Sequence, residues 1–198
     1  QFLAHIREVD AIAYVLRCFE SDDITHVEGD VDPIRDAETV ETELMLADLD
    51  SLERRVDAAG KKARAKDKQA LQEMPVMTRI LEALREGRPA RVITDWSREE
   101  RVIVRRLQLL TTKPVLYVCN VDEESAADGN ALSARVAERA ATEGAETVII
   151  SAAIEAEISQ LPSVEEKQEF LDTLGLAEAG LARLIASGYR LLDLITFF

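Results

Sequence analysis

The chain has 198 residues, of which 47% are hydrophobic and 31% are charged, and its formal net charge is −14. This length and composition allow one sizeable domain, or one domain with an insertion, and do not indicate disorder. A negative field repels phosphate, so we expect no sequence-specific DNA partner, and any contact with nucleic acid has to be local.

Neither membrane insertion nor export is expected. No apolar run approaches the ~20 residues that span a bilayer, and no basic-then-apolar leader precedes the first predicted strand. Both cysteines, Cys18 and Cys119, lie in apolar, strand-like runs rather than at metal-ligand spacing. We therefore expect a soluble cytoplasmic protein with no membrane partner, no metal site in this sequence and reduced cysteines in its core.

The two ends of the sequence are unusual for a whole protein. The chain begins with Gln1 instead of methionine and ends with the apolar stretch LITFF. An apolar ending is a poor terminus for a complete domain. We expect a segment of a longer protein.

Three continuous apolar runs, residues 11–19, 114–121 and 147–152, predict buried parallel strands. Between the last two runs, a helical pattern over 133–145 ends near Gly144, which gives the order strand, helix, strand of a βαβ unit. The predicted frame is α/β, with a partial doubly wound, mainly parallel sheet.

Residues 20–113, between the first two predicted strands, are far too many for a simple crossover. An amphipathic helical pattern covers 37–64, and a second one covers 71–84 and stops at the Gly-Arg-Pro of 87–89. Together they predict an inserted antiparallel helical coiled-coil hairpin. The apolar positions predicted for the seam of the first helix are Val40, Leu44, Ala47, Leu52 and Val56.

Further helices are predicted after the hairpin. The sequence SREE at 97–100 is a capping-box pattern, in which Ser97 and Glu100 hydrogen-bond to each other's backbone N–H, and it predicts a helix from Ser97 to about Leu110. Two more helical stretches cover 164–176 and 180–192.

Candidate ligand residues follow two of the predicted strands. Asn120 to Glu123 end one strand, and Ser151, Ala152 and Ala153 end the next. In doubly wound sheets, ligands bind at the carboxyl ends of the strands. The pattern looks like the base-recognition end of a P-loop GTPase-type domain, in which Asn-Lys-x-Asp and Ser-Ala-Lys motifs hold the base. The alternative is that Asn120 caps a turn and the acids form a solvated loop.

The departures from these motifs have a chemical meaning. Guanine presents N1–H and N2–H₂ donors that a short carboxylate accepts together, whereas adenine has an unprotonated N1 and a donating N6 amine. Glu123 moves the carboxylate by one methylene, and Val121 removes the lysine stem that would pack on the base. The sequence therefore predicts adenine in preference to guanine.

Five blocks of the sequence resemble the YchF/Obg-like ATPase family, the ribosome-associated ATPases of the translation-factor class. The resemblance implies a GTPase-like α/β domain interrupted by a helical coiled-coil domain and followed by a TGS domain. It implies ATP preference through an Asn-x-x-Glu motif, which Asn120 and Glu123 match, and it places the backbone at Val121 and the Ser151-Ala152-Ala153 loop around the adenine. The matching blocks are 1–12, 17–44, 107–121, 150–158 and 188–198, so nearly the whole chain is covered.

The phosphate-binding part of that family has no counterpart here. The sequence contains no Gly-x-x-x-x-Gly-Lys-Ser/Thr stretch, whose amides hold phosphates and whose hydroxyl holds Mg²⁺, and the Asp-x-x-Gly of the family would precede Gln1. In the intact protein the resemblance implies ATP hydrolysis with Mg²⁺ bound through the missing P-loop, coupled to ribosome association. This chain alone is expected to be inactive and to contain no catalytic residue.

The resemblance also sets the predicted domain bounds. The nucleotide-binding domain takes residues 1–36 and 93–194, the helical insertion takes 37–92, and residues 195–198 begin the missing TGS domain.

The predicted hairpin tip is basic. Residues 61–68, KKARAKDK, hold five cations and one acid, and a local contact with ribosomal RNA is one interpretation. The other is a solvated helix end, since charged residues are mostly exposed and no aromatic side chain is interleaved for base stacking. The five candidate contact residues are Lys61, Lys62, Arg64, Lys66 and Lys68.

Two functional alternatives remain at this stage. One is an Obg-type GTPase specific for guanine, which competition between ATP and GTP would distinguish. The other is a non-catalytic helical adaptor that binds the ribosome or RNA through residues 61–68, and such an adaptor would release no phosphate from ATP.

Overall fold

The computed structural model describes residues 2–20 and 30–195. Residues 21–29, within the predicted first domain, and 196–198, within the predicted start of the TGS domain, lie outside the described residues. The elements in chain order are α1 (Phe2–Glu8), β1 (Ile12–Arg17), α2 (Pro33–Arg64), α3 (Lys68–Arg85), α4 (Arg98–Leu107), β2 (Val115–Asn120), α5 (Ala131–Glu143), β3 (Glu146–Ile150), α6 (Ala152–Gln160), α7 (Val164–Thr173) and α8 (Gly180–Leu191).

The three predicted strands form a parallel sheet in the order β1-β2-β3 within the described residues. Tyr14 of β1 is in register with Tyr117 of β2, which is in register with Thr147 of β3. The α/β class and the parallel strands predicted from the apolar runs are therefore confirmed.

Both faces of β2 are covered, but only one face of β1 is. Tyr14 and Leu16 are buried, and the Tyr14 ring stacks on that of Tyr117 at 5.6 Å. On the opposite face Val15 is 66% exposed. The prediction that the whole run 11–19 is buried was wrong, because β1 is an edge strand in the described sheet and the apolar layer under α8 covers β2 and β3.

By compactness the chain divides into two parts. The helical unit comprises Gln1–Asp10 and Glu38–Pro114, and the sheet unit comprises Ala11–Ala37 and Val115–Phe198. The division falls within α2. Compactness does not assign a function to either part, so the predicted bounds of the nucleotide-binding domain stay a prediction.

In the helical unit, α2 and α3 run antiparallel as a hairpin. Near its turn, Asp67 caps α3 by accepting a hydrogen bond from the N–H of Ala70 at 2.8 Å. At the other end, Arg85 of α3 pairs with Glu53 of α2 at 2.8 Å. The two helices and α4 enclose a core that includes Leu52, Met77, Ile80, Leu81, Leu84 and Leu107.

The buried stripe of α2 includes Leu44 and Leu52 of the predicted seam but differs from it elsewhere. Val40 is 46% exposed, whereas Glu41 and Asp48 are buried at 5% and 0% exposure. Burying a carboxylate is unfavourable unless it is paired and hydrogen-bonded. Arg91 satisfies Glu41 with a two-pronged contact, one bond of which measures 2.8 Å.

Asp48 is satisfied by donors from distant parts of the helical unit. Its oxygens accept from the backbone N–H of Leu110 at 3.0 Å, and from the backbone N–H and hydroxyl of Thr111 at 2.8 and 2.9 Å. Arg7 of α1 adds an ion pair at 3.1 Å. One carboxylate thus joins α1, α2 and the segment that follows α4.

The capping box predicted for α4 is confirmed, because the Ser97 hydroxyl accepts from the Glu100 N–H and the Glu100 carboxylate accepts from the Ser97 N–H. The helix ends at Leu107 and not near Leu110, since Gln108 takes a left-handed conformation with φ 49°. In the described part of the chain no helix combines the length and the apolar character that crossing a bilayer requires.

Candidate base-recognition loops

The loops after β2 and β3 are joined by a hydrogen bond. The side-chain oxygen of Asn120 accepts from the backbone N–H of Ala152 at 2.9 Å. The N–H of Val121 donates to the carbonyl of Ile150 at 2.8 Å, which continues the pairing of the strands beyond their ends. The structure therefore brings together, at one edge of the sheet, the two groups of residues that the sequence singled out.

Asn120 uses only one end of its amide in this contact. Its Oδ1 holds the first residue of α6, while its Nδ2 makes no hydrogen bond within the described part of the chain. The side chain is partly exposed. The two Nδ2 hydrogens can therefore be donated to a ligand while the loops stay joined.

Ser151 stands at the N-terminal cap position of α6, but its side chain makes no capping hydrogen bond. The residue is 3% exposed, and its hydroxyl has no partner among the described residues. A buried unpaired hydroxyl costs about 1–3 kcal/mol, which a polar ligand atom or an ordered water would offset. This orphaned group fits a polar ligand at the loop.

Ala152 and Ala153 are exposed and form the first turn of α6. The leading N–H groups of a helix lack intrahelical partners and carry a partial positive charge. The N–H of Ala152 already donates to Asn120, so the N–H of Ala153 is the one of the two that stays open to a ligand.

Val121 directly follows β2 and is buried. Its side chain is 2% exposed and its N–H is engaged with Ile150. The residue is therefore packed in the protein, and its side chain does not present a surface to a ligand.

The acids after Val121 fall into two kinds. The Asp122 carboxylate accepts from the N–H of Ser125 at 2.8 Å and so holds the turn. Glu123 is exposed, and its carboxylate makes no hydrogen bond within the described residues. Asp122 thus stabilises the turn, which the sequence did not predict, whereas the Glu123 carboxylate is available to a ligand.

Asn130 is part of this edge, and sequence reasoning missed it. Its Oδ1 caps α5 by accepting from the N–H groups of Leu132 and Ser133, both at 3.0 Å, and its Nδ2 donates to the carbonyl of Cys18 at 2.7 Å. Cys18 N–H in turn donates to the carbonyl of Asn120 at 2.7 Å. The sequence signal was an asparagine shortly before the helical pattern at 133–145, since asparagine is among the preferred N-cap residues.

The two cysteines are buried free thiols, as predicted. Each is 0% exposed; Cys119 lies on β2, and Cys18 directly follows the neighbouring strand β1. The hydrogen bond with Cys119, together with burial, raises the pKa of Cys18 well above its ordinary value. A thiol of this kind is a poor nucleophile, because the thiolate is the reactive form.

The basic residues predicted at the hairpin tip lie at the turn between α2 and α3. Lys61, Lys62 and Arg64 end α2, Lys66 lies in the connection with φ 63°, and Lys68 begins α3. All five are exposed, and none forms an ion pair with a described residue. Contact with RNA stays a prediction.

No cluster of three or more histidine, cysteine, aspartate or glutamate residues suited to a metal ion occurs among residues 2–20 and 30–195.

Comparisons with known proteins give a consistent result, although no protein-family model matches the chain. Proteins named "Ribosome-binding ATPase YchF" from Bacillus subtilis (strain 168) and Haemophilus influenzae are 47% and 48% identical to it, over 100% of the chain. A solved structure described as "Structure of the Schizosaccharomyces pombe YchF GTPase" superposes with a TM-score of 0.84 at 31% identity, over 97% of the chain and 52% of that protein.

The sheet, its joined loops and the helical insertion define the class, which is a partial GTPase-like α/β fold with an inserted helical hairpin. The sequence similarity over the whole chain identifies the family within this class. The chain belongs to the YchF family, and it spans 54% of the length of the bacterial relatives that it matches. The family resemblance inferred from the sequence is confirmed.

Proposed function

We propose that the sheet unit carries the base-binding loops of a ribosome-binding, cytoplasmic ATPase, and that these loops hold adenine. The observation that carries the proposal is the bond between Asn120 Oδ1 and Ala152 N–H, because it assembles both loops around one side chain with a free amide donor. The names of the bacterial relatives support the ribosome and ATP parts of the proposal.

Asn120 would hold a purine through its Nδ2. The N7 atom is an acceptor in both adenine and guanine, so this contact orients a purine without choosing between them. The Ser151 hydroxyl and the open N–H of Ala153 supply further polar contacts at the base. These groups bind and orient the nucleotide and exchange no proton with it.

Selection between the purines would come from Glu123 and the backbone around Val121. Adenine offers an N6 amine that a carbonyl or a carboxylate can accept, where guanine has the O6 acceptor. The longer Glu123 side chain displaces the carboxylate from the place where a shorter one would take both N1–H and N2–H₂ of guanine. The result is a preference for ATP.

These residues bind the base, and hydrolysis needs groups elsewhere in the intact protein. ATP bound with Mg²⁺ supplies a γ-phosphoryl group whose transfer to water is assisted by phosphate-binding amides and the metal. We assign no catalytic residue and no metal ligand to these 198 residues. The chain positions the nucleotide and leaves its phosphates to a P-loop that these residues do not include.

The test uses the intact protein, as long as its relatives. It measures competition between ATP and GTP for binding, and the release of phosphate with and without ribosomes. We expect tighter ATP binding and ribosome-dependent release of phosphate. Preference for GTP would support a GTPase, which is what the fission-yeast relative is called. Absence of phosphate release with retained ribosome binding would support an adaptor.

A further inference from the structure

Asn130, the residue before α5, contacts two separate parts of the sheet unit with the two ends of its side-chain amide. Its Oδ1 accepts from the N–H groups of Leu132 and Ser133 in the first turn of α5, both at 3.0 Å. Its Nδ2 donates to the carbonyl of Cys18 at 2.7 Å, across 112 residues of the chain. The residue therefore joins the start of α5 to the segment that follows β1.

The contact with Cys18 leads directly to Asn120. The N–H of Cys18 donates to the backbone carbonyl of Asn120 at 2.7 Å. The Oδ1 of Asn120 accepts from the N–H of Ala152 at 2.9 Å, and the N–H of the next residue, Val121, donates to the carbonyl of Ile150 at 2.8 Å. These bonds fix the backbone and the Oδ1 of Asn120, and they thereby set the direction of its Nδ2.

The capping of α5 alone does not explain an asparagine at position 130. Asparagine, aspartate and serine are about equally good N-cap residues, and each offers the oxygen that a helix start needs. An ionised aspartate can only accept, and a serine has one short hydroxyl, whereas an asparagine presents an acceptor and an N–H₂ donor at its two ends. The donor end of Asn130 thus has a separate use, which is the carbonyl of Cys18.

The position of Asn130 is itself fixed by close packing. Its N–H donates to the hydroxyl of Ser133 at 2.8 Å, which completes a capping box. The preceding Gly129 has φ 77°, and a Cβ there would lie 2.6 Å from Oγ of Ser133 and 2.8 Å from Cδ1 of Ile149. Asn130 therefore cannot move away from Cys18 without displacing the first turn of α5.

We propose that Asn130 is a positioning residue for base recognition, which holds the amide of Asn120 in place through the backbone of Cys18. The inference rests on the proposed function, because it takes Asn120 as the residue that donates to the purine. A side chain that is already held in its binding orientation loses less conformational freedom when the ligand binds, so affinity is higher. The competing interpretation is that Asn130 stabilises α5 and has no effect on the nucleotide.

The test compares two reciprocal N-cap variants of the intact protein, neither of which changes the net charge. Asn130→Ser keeps a capping oxygen for α5 and removes the N–H₂ that reaches Cys18. Ser163→Asn makes the opposite exchange at the N-cap of α7, where the Ser163 hydroxyl accepts from the N–H of Glu166 at 3.1 Å. Asn130→Asp is a second variant that keeps the cap and loses the donor. Thermal melts identify the variants that are folded at the assay temperature.

We expect the Kd of Asn130→Ser for ATP and for GTP to rise at least about fivefold, the effect of a hydrogen bond of ~1 kcal/mol. Both should rise by the same factor, because the N7 acceptor is common to the two purines. Binding of inorganic triphosphate, which has no base, should stay unchanged, and Ser163→Asn should alter each Kd less than about twofold. Unchanged binding of ATP by Asn130→Ser, or an equal loss for triphosphate, would overturn the proposal.

The connection can also be measured without a nucleotide. Loss of the Asn130 donor frees the carbonyl of Cys18, so amide hydrogen exchange at Cys18 should become at least about tenfold faster in Asn130→Ser. Exchange at Val118, inside β2, should stay as it is in the unaltered protein. Equal exchange at Cys18 in the two proteins would show that Asn130 does not hold this segment, and the proposal would fail.

A double variant separates this proposal from the proposed function. Asn120→Asp removes the Nδ2 donor itself, so adding Asn130→Ser should weaken ATP binding no further if Asn130 acts through Asn120. Additive losses would exclude the positioning role. If Asn120→Asp binds ATP as the unaltered protein does, base recognition by Asn120 fails, and the proposed function fails with it. If Asn120→Asp binds weakly and Asn130→Ser binds normally, the proposed function stands and the role of Asn130 alone fails.

Discussion

Asn120 and Ala152, 32 residues apart in the chain, are joined by a 2.9 Å hydrogen bond from the Ala152 N–H to the Asn120 side-chain oxygen. The bond uses the acceptor of the asparagine and leaves its donor free. The two roles of this side chain, joining the loops and binding a ligand, can therefore be tested separately.

The first prediction concerns Asn120. Asn120→Ala removes both ends of the amide and should lower the free energy of unfolding by ~1 kcal/mol. Asn120→Asp keeps an acceptor for Ala152 and loses the donor, so its stability should stay near that of the unaltered chain. In the intact protein both variants should bind ATP at least about tenfold more weakly. An aspartate variant that binds ATP normally would remove Asn120 from the ligand contacts.

The second prediction concerns base selection. Glu123→Asp shortens the carboxylate and should raise the affinity of the intact protein for GTP relative to ATP. Glu124→Asp, the same change at the next exposed acid, is the matched control and should leave the ratio unchanged. The structure argues against combining the first change with Val121→Lys, because Val121 is 2% exposed and a lysine there would bury a charge. An unchanged ratio in Glu123→Asp means that selectivity lies elsewhere.

The third prediction concerns the buried acid of α2. Asp48→Ala leaves the N–H groups of Leu110 and Thr111 and the guanidinium of Arg7 without their acceptor. Breaking a buried pair on one side costs about 3–5 kcal/mol, so urea unfolding should show a much lower midpoint. Asp50→Ala, on an exposed turn of the same helix, should cost less than about 1 kcal/mol. Similar midpoints for the two variants would contradict this account.

The fourth prediction concerns pH. The hydrogen bond with Cys119, together with burial, holds the pKa of Cys18 above its ordinary value of 9.0, so the folded state keeps a proton that the unfolded state loses. The contribution of this proton to the free energy of unfolding is therefore fully present below about pH 9. It decreases as the pH rises further, and the loss reaches about 1.4 kcal/mol at about pH 10. The fall in unfolding free energy from about pH 8 to about pH 10 should be smaller in Cys18→Ala, and an equal fall would contradict the assignment.

The secondary structure was predictable where its signal is local. The apolar runs located the three strands, because buried parallel strands are apolar on both faces and this pattern lies within a few residues. The capping box at Ser97 and Glu100 was predictable for the same reason, since both partners lie within one helical turn.

What the sequence could not show depends on partners far away in the chain. Hydrophobic periodicity assigns apolar residues to the buried face of a helix and acids to the exposed face, so it predicted that Val40 is buried. In the structure Val40 is exposed, and the acids Glu41 and Asp48 are buried. Asp48 is buried because its donors come from Leu110 and Thr111, 62 and 63 residues later, and no local pattern records them.

The candidate ligand residues were predictable by topology alone. Parallel strands end at the same edge of the sheet, so Asn120 and the Ser151 loop had to be neighbours once the strand order was right. The direction of each side chain was not predictable. Val121 faces the protein interior and Ser151 keeps an unpaired hydroxyl, and both facts follow from packing.

The position of Asp48 also bears on how inactive variants of this family should be interpreted. The side chain is buried and contacts no candidate ligand residue. Its loss would nevertheless remove the bonds that join α1, α2 and the segment after α4. A genetic screen that measures growth alone would identify variants of both Asp48 and Asn120 and would not distinguish between them. A refolding assay run in parallel would show that the Asp48 variant has lost stability, whereas the Asn120 variant has lost ligand binding.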